Sequence, residues 1–152
     1  MWRATPYGSI YRLELDPTSP TGPARLGLLA RSSGAASGWS SPDNIAHNGK
    51  TLMVQEDPAN ATFAGQRAPR IYSFSTGTTA RRGAGEAVVT LEHPTCDDVT
   101  GTCWESCGII DASAWFGPGF WLFDVQAHTL VSPGASLPKE SGQLLLLRLR
   151  GS

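Results

Sequence analysis

Residues 41 to 57 read Ser41-Pro42-Asp43-Asn44-Ile45-Ala46-His47-Asn48-Gly49-Lys50-Thr51-Leu52-Met53-Val54-Gln55-Glu56-Asp57. Two short runs of strand-forming residues flank His47-Asn48-Gly49-Lys50, a tetrapeptide rich in turn formers, so the segment predicts a β-hairpin. The pattern recurs downstream. Glu105-Ser106-Cys107-Gly108-Ile109-Ile110-Asp111 leads through a loop containing Gly117-Pro118-Gly119 into Phe120-Trp121-Leu122-Phe123-Asp124-Val125-Gln126, and the Val-Gln pair falls at the same place in both units.

Each hairpin is followed by a loop and a further strand, Ile71 to Phe74 in one unit and Leu144 to Leu149 in the other. The same strand type opens the chain at Ile10-Tyr11-Arg12-Leu13-Glu14-Leu15, where Tyr11, Leu13 and Leu15 share one face and Arg12 and Glu14 the other. That period of two marks a half-buried strand and not a helix. Fourth strands are expected at Ala24 to Leu29 and Glu86 to Leu91. Labelled a to d, the strands run c, d, then a, b, c, d, then a, b, c. Units of four antiparallel strands repeating at about 70 residues are the pattern of propeller blades.

The repeat predicts an all-β chain, a partial β-propeller of about two and a half four-stranded blades. Residues 1–31 end one blade, 38–92 form a full blade, and 103–150 form a last blade without its fourth strand. A ring needs more, so the chain is expected to be the C-terminal piece of a propeller whose missing blades are supplied by sequence upstream of Met1. The number of strands also permits a small β-sandwich.

Composition narrows the partners. Seventeen glycines and eleven prolines suit many short strands joined by turns. A net charge of -1 with 16% charged residues gives no basic surface for nucleic acid. No run approaches the roughly 18 apolar residues of a membrane helix, and no signal-peptide pattern follows Met1.

In a blade the start of strand a and the end of strand b emerge at one end of the channel. Asp43 and the run Gln55-Glu56-Asp57 are therefore expected there, with Glu105 and Gln126-Ala127-His128 from the next blade. Oxygen ligands held by rigid elements suit hard cations such as Ca²⁺, which makes Asp43, Glu56, Asp57 and Glu105 candidate metal ligands. For Asp43 the competing reading is a turn cap after Pro42. Glu105, between Trp104 and an apolar strand, needs a partner or a metal to offset desolvation. Alternation lets only one of Gln55 and Glu56 face the channel, and Glu56 is the candidate. Asp111 and Asp124 fall further from that end and are expected to be structural.

His128 and Gln126 are candidate substrate contacts, against the alternative of an ordinary solvated loop histidine. Arg67, which with Arg70 brackets the end of the b-to-c loop, suits phosphate by bidentate hydrogen bonding, although loop arginines commonly face water. Cys96, Cys103 and Cys107 match no standard zinc spacing. A Cys96 to Cys103 disulfide is favoured, contributing on the order of 2.5 kcal/mol by loop entropy, and it implies an oxidising compartment. Asn60-Ala61-Thr62 is a glycosylation sequon compatible with secretion.

The elements Ser41-Pro42-Asp43-Asn44-Ile45, Val54-Gln55-Glu56-Asp57, Trp104-Glu105-Ser106-Cys107-Gly108 and Val125-Gln126-Ala127-His128 together resemble the last two blades of the PhoX-type alkaline phosphatases and related bacterial and algal propellers. The resemblance covers most of residues 38 to 150. It implies a calcium-dependent phosphoesterase, with iron beside calcium in the best known members, hydrolysing phosphomonoesters in the extracellular or periplasmic space. Glu105 matches the glutamate that opens the family's final inner strand, and Asp43 or Asp57 the acidic position one blade earlier. The family's iron-holding cysteine and several carboxylates belong to earlier blades, so Cys107 is not assigned that role and the isolated chain is expected to be inactive. Lactonase or other esterase activity, or a non-catalytic surface binding module, are the alternatives that such relatives imply.

Overall fold

The structure is a computed structural model that describes residues 8–32, 38–57, 68–76, 85–91, 104–131 and 140–150, with the side chains of 128–131 and 140 outside the description. Its strands are β1 (Ser9–Glu14), β2 (Arg25–Arg31), β3 (Pro42–His47), β4 (Thr51–Glu56), β5 (Arg70–Ser75), β6 (Glu86–Thr90), β7 (Glu105–Asp111), β8 (Phe120–Val131) and β9 (Glu140–Arg148). One short helical turn, α1 (Ser113–Phe116), lies between β7 and β8. The fold class is all-β. Three antiparallel sheets follow one another along the chain, with orders β1-β2, β3-β4-β5-β6 and β7-β8-β9.

The β3–β4 hairpin closes as its turn residues dictate. Asn48 Oδ1 accepts from the amides of Lys50 (3.1 Å) and Thr51 (2.9 Å), and Gly49 takes a φ of 92°, a conformation open to residues without a Cβ. Register then runs His47 opposite Leu52, Ala46 opposite Met53 and Ile45 opposite Val54. A bulge follows: Asp43 and Asn44 lie between the pairs Ile45–Val54 and Pro42–Glu56, so two residues face Gln55 alone.

Alternation along β4 and β5 makes the middle sheet apolar on both faces. Leu52, Val54, Tyr72 and Phe74 pack with Ile10 and Ala30 of the first sheet and with Trp39. The Trp39 ring meets Tyr72 and Phe74 edge-on at 6.0 and 5.3 Å between centroids. From the other face Met53 and Ile71 pack with Ile109, Trp121, Phe123 and Val125 of the third sheet. Two sheet-on-sheet cores therefore share the β3–β6 sheet between them. Trp121, Met53 and Ile71 are fully buried.

The outward faces of the first and third sheets remain apolar and exposed. Leu13 pairs with Leu26 and Tyr11 with Leu28 on one, while Ile110, Leu122 and Leu146 form a cross-strand row on the other. Among the described residues no helix is long and apolar enough to cross a membrane.

Candidate functional site

The two inner hairpins begin at the same end of the sheet stack. Pro42, at the start of β3, pairs with Glu56 at the end of β4, and Glu105, at the start of β7, pairs with Gln126 in β8. β7 packs against β3 and β4. Gln55 fixes the relation between the sheets: its Nε2 donates to the Cys107 carbonyl at 3.3 Å. That bond joins the last turn of pleat in β4 to the first residues of β7. Asp43, Gln55, Glu56, Asp57, Glu105 and Gln126 thus belong to one end of the stack.

Their side chains do different things. Asp43 is exposed and sits in the β3 bulge, where its Oδ2 accepts from Asn44 Nδ2 at 3.1 Å. Neither its place in the strand nor this bond is a turn cap. Asp57 is half-buried, and its amide donates to the Ser41 carbonyl at 2.9 Å. Glu105 is half-buried and Gln126 exposed.

Glu56 corrects the expectation drawn from alternation. It is not exposed at the end of the sheet; it is fully buried on the face that packs against the first sheet. Its Oε1 accepts from the Ser40 amide at 2.7 Å and its Oε2 from the Arg70 amide at 2.8 Å. A desolvated carboxylate is tolerable when charge-assisted bonds meet both oxygens. By clasping Ser40, Glu56 holds the turn in which Ser41 takes a φ of 45°, a left-handed conformation that is unfavourable for a residue with a Cβ. That turn delivers the chain into Asp43. Gln55 points the other way, into the second core, and its Oε1 is buried with no hydrogen-bond partner, as is Ser106 Oγ on the facing strand.

The pairing of β7 with β8 brings together groups that sequence reasoning kept apart. Cys107 lies directly opposite Asp124, and a bulge after Cys107 places Gly108 at a φ of 54°. The Asp124 carboxylate occupies the space where a Cβ on residue 108 would lie. Burial first, and then the charges of Glu105 and Asp124, push the Cys107 thiol up to about 11, against which Gln126 hydrogen bonds act in the lowering direction. Cys107 is a free cysteine, poorly nucleophilic at neutral pH because its thiolate is suppressed. Its usefulness is as a reporter: two carboxylates crowd one face of β7 and β8 at the end where β7 begins. Asp124 lies two residues further into the sheet than Gln126, which pairs with Glu105 at the start of β7.

Asp111 is structural, as expected. Its Oδ1 accepts from the Ser113 amide (3.3 Å) and hydroxyl (2.6 Å) and steadies the turn of α1. His128 belongs to β8 by its backbone, with its side chain outside the description. Arg67, Cys96 and Cys103 lie outside the described residues, as does the sequon. Among the described residues no group of three or more His, Cys, Asp or Glu is placed to hold a metal ion.

No family model, curated protein or solved structure matches the chain.

Proposed function

We propose that the three sheets are successive blades of a β-propeller, and that the end where β3 and β7 begin is a cation-binding mouth serving a calcium-dependent phosphoesterase. Support for the architecture comes from order and stacking. Consecutive antiparallel sheets pack face to face, and β7, the first strand of the third sheet, sits beside β3, the first strand of the second, as inner strands do around a propeller channel.

The observation that carries the functional reading is the electrostatic crowding at Cys107, where the Glu105 and Asp124 charges both act on one thiol. Carboxylates at the rim of a rigid sheet suit a hard cation, and calcium takes six to eight oxygens. Glu105, Asp124 and Gln126 offer oxygens of the right kind. They fall short of a full shell, so further oxygens are needed to complete one. A phosphomonoester would enter as an anion drawn to that cation, with His128, Gln126 and Arg67 as its candidate contacts.

Calcium titration followed by calorimetry tests the reading, on the 152-residue chain and on its Glu105→Gln and Asp124→Asn variants. Binding weakened in both variants supports the mouth. Binding unchanged in both removes these carboxylates from it, and no binding at all removes calcium. Hydrolysis of a chromogenic phosphomonoester, lost on chelation, is the corresponding assay for the phosphoesterase; the isolated chain is expected to be inactive.

A further inference from the structure

The two ends of the sheet stack are unlike, and the end away from the mouth carries groups for which the phosphoesterase reading has no use. β1, β3 and β7 all start at the mouth: Gly8 packs against Pro42, and Gln55 reaches the Cys107 carbonyl. The hairpin tips therefore lie at the far end, roughly 20 Å away for a strand of β7's length. The β3–β4 tip is a tight polar turn closed by Asn48. The β7–β8 connection is longer, and it presents Trp115 and Phe116 exposed by 70 and 50%. No residue of α1 is buried, and neither aromatic belongs to either core. Trp39 and Trp121, by contrast, are buried, as large apolar side chains ordinarily are.

The connection is rigid even so. The amides of Trp115 and Phe116 donate to the Ala112 carbonyl at 3.0 and 3.1 Å, and the Gly117 amide donates to the Ser113 carbonyl at 3.0 Å. Ala112 and Leu149 donate to the Phe120 and Gly119 carbonyls, each at 2.9 Å, and so tie the connection to β8 and β9. An apolar tip held in one conformation binds without the cost of ordering a loop.

We infer that this tip docks the protein on a membrane surface bearing anionic lipids. Trp115 and Phe116 enter the interface, Arg148 and Arg150 hold positive charge at headgroup level, and the mouth is turned toward water. Docking needs only the sheet stack, whatever chemistry the mouth performs. Charge selects this partner. The Phe116 and Phe120 rings lie 6.1 Å apart between centroids, and the Arg148 guanidinium sits over the Phe120 ring at 5.4 Å, so a cation continues the aromatic strip. Arg150 follows it, exposed, and Lys50 is exposed on the neighbouring tip. The acid at the end of β7, Asp111, is engaged by Ser113. At this end of the other sheets Glu14 is paired with Arg12, Asp16 accepts from Thr18, and Glu86 lies opposite Ser73. Tryptophan beside basic side chains suits the boundary between headgroups and acyl chains, and it needs no spanning element. A neutral sugar stacked on Trp115 would leave the arginines without a role.

Cosedimentation of the 152-residue chain with vesicles of phosphatidylcholine, alone or mixed with phosphatidylglycerol, tests the docking. Binding to the mixed vesicles is expected, and weaker binding to phosphatidylcholine alone. Trp115→Ala and Phe116→Ala alter exposed side chains, so urea midpoints should hold while each weakens binding by about tenfold or more. Arg148→Gln and Arg150→Gln should each weaken it by about fivefold. Leu144→Ser, opposite Asp124 nearer the mouth in the same sheet, should leave it unchanged. Absence of binding to the mixed vesicles overturns the inference, as does equal binding to both kinds, which removes the selection by charge. Binding lost in Leu144→Ser but kept in Trp115→Ala moves the contact to the open sheet face and overturns it as well. So does quenching of Trp115 fluorescence by a soluble oligosaccharide without vesicle binding, which assigns the tip to a sugar.

Discussion

Glu56→Leu and Glu56→Gln probe the carboxylate that the strand pattern assigned to the channel and the fold assigned to a clasp. Leucine is close in size but leaves the Ser40 and Arg70 amides, bonded at 2.7 and 2.8 Å, without acceptors. Each buried unpaired donor costs about 1–3 kcal/mol, partly offset because a buried charge is removed, so a net loss of about 2–4 kcal/mol is expected. Glutamine keeps one acceptor oxygen and turns an NH₂ toward the second amide, for a loss of about 1–2 kcal/mol. With urea slopes of about 1–3 kcal/mol/M for a domain of this size, the leucine variant should lower the midpoint by about 1–2 M and glutamine by about half as much. Amide exchange should quicken first at Ser40 and Arg70. A cation ligand behaves oppositely: without calcium, neutralising a carboxylate held against its neighbours stabilises the protein. A Glu56→Gln variant as stable as the parent in chelator, with slow exchange at Ser40, would refute the clasp.

Other expectations follow from the same geometry. Alkylation of Cys107 by iodoacetamide at pH 8, followed by peptide mass mapping, should be about tenfold or more slower than that of free cysteine. Asp124→Asn and Glu105→Gln should each speed it; unchanged rates in both would show that these charges do not act on the thiol. Because the folded thiol holds its proton up to about 11, above the unfolded value near 8.5, its contribution to stability is complete below the unfolded value. It is lost as pH rises from there through about 11. In Cys107→Ser that alkaline decline, followed by urea midpoints between pH 8 and 11, should be shallower. Gly108→Ala must place a Cβ against the Asp124 carboxylate at a φ of 54°, and a loss of about 1–3 kcal/mol is expected, relieved in part by Asp124→Gly. Trp121→Ala, at the centre of the second core, should cost about 3–5 kcal/mol by thermal or urea unfolding.

Local chemistry was enough for the sequence by itself to determine the strands. A period of two needs only neighbouring residues, and Asn48-Gly49 closes a hairpin by its own side chain and its own permitted φ, so the all-β class, the β3–β4 and β7–β8 hairpins and the common end of Pro42, Glu56, Glu105 and Gln126 could be read directly. Sequence also marked Asp111 as structural. Alternation says that Gln55 and Glu56 point to opposite faces, but it does not say which face a neighbouring sheet will cover. That required the stack: the first sheet and the Ser40 turn enclose Glu56, and β7 receives Gln55. Register likewise lay beyond local reading, because a bulge of one residue shifts every partner after it. Only the bulge at Cys107 and Gly108 set Asp124 opposite the thiol.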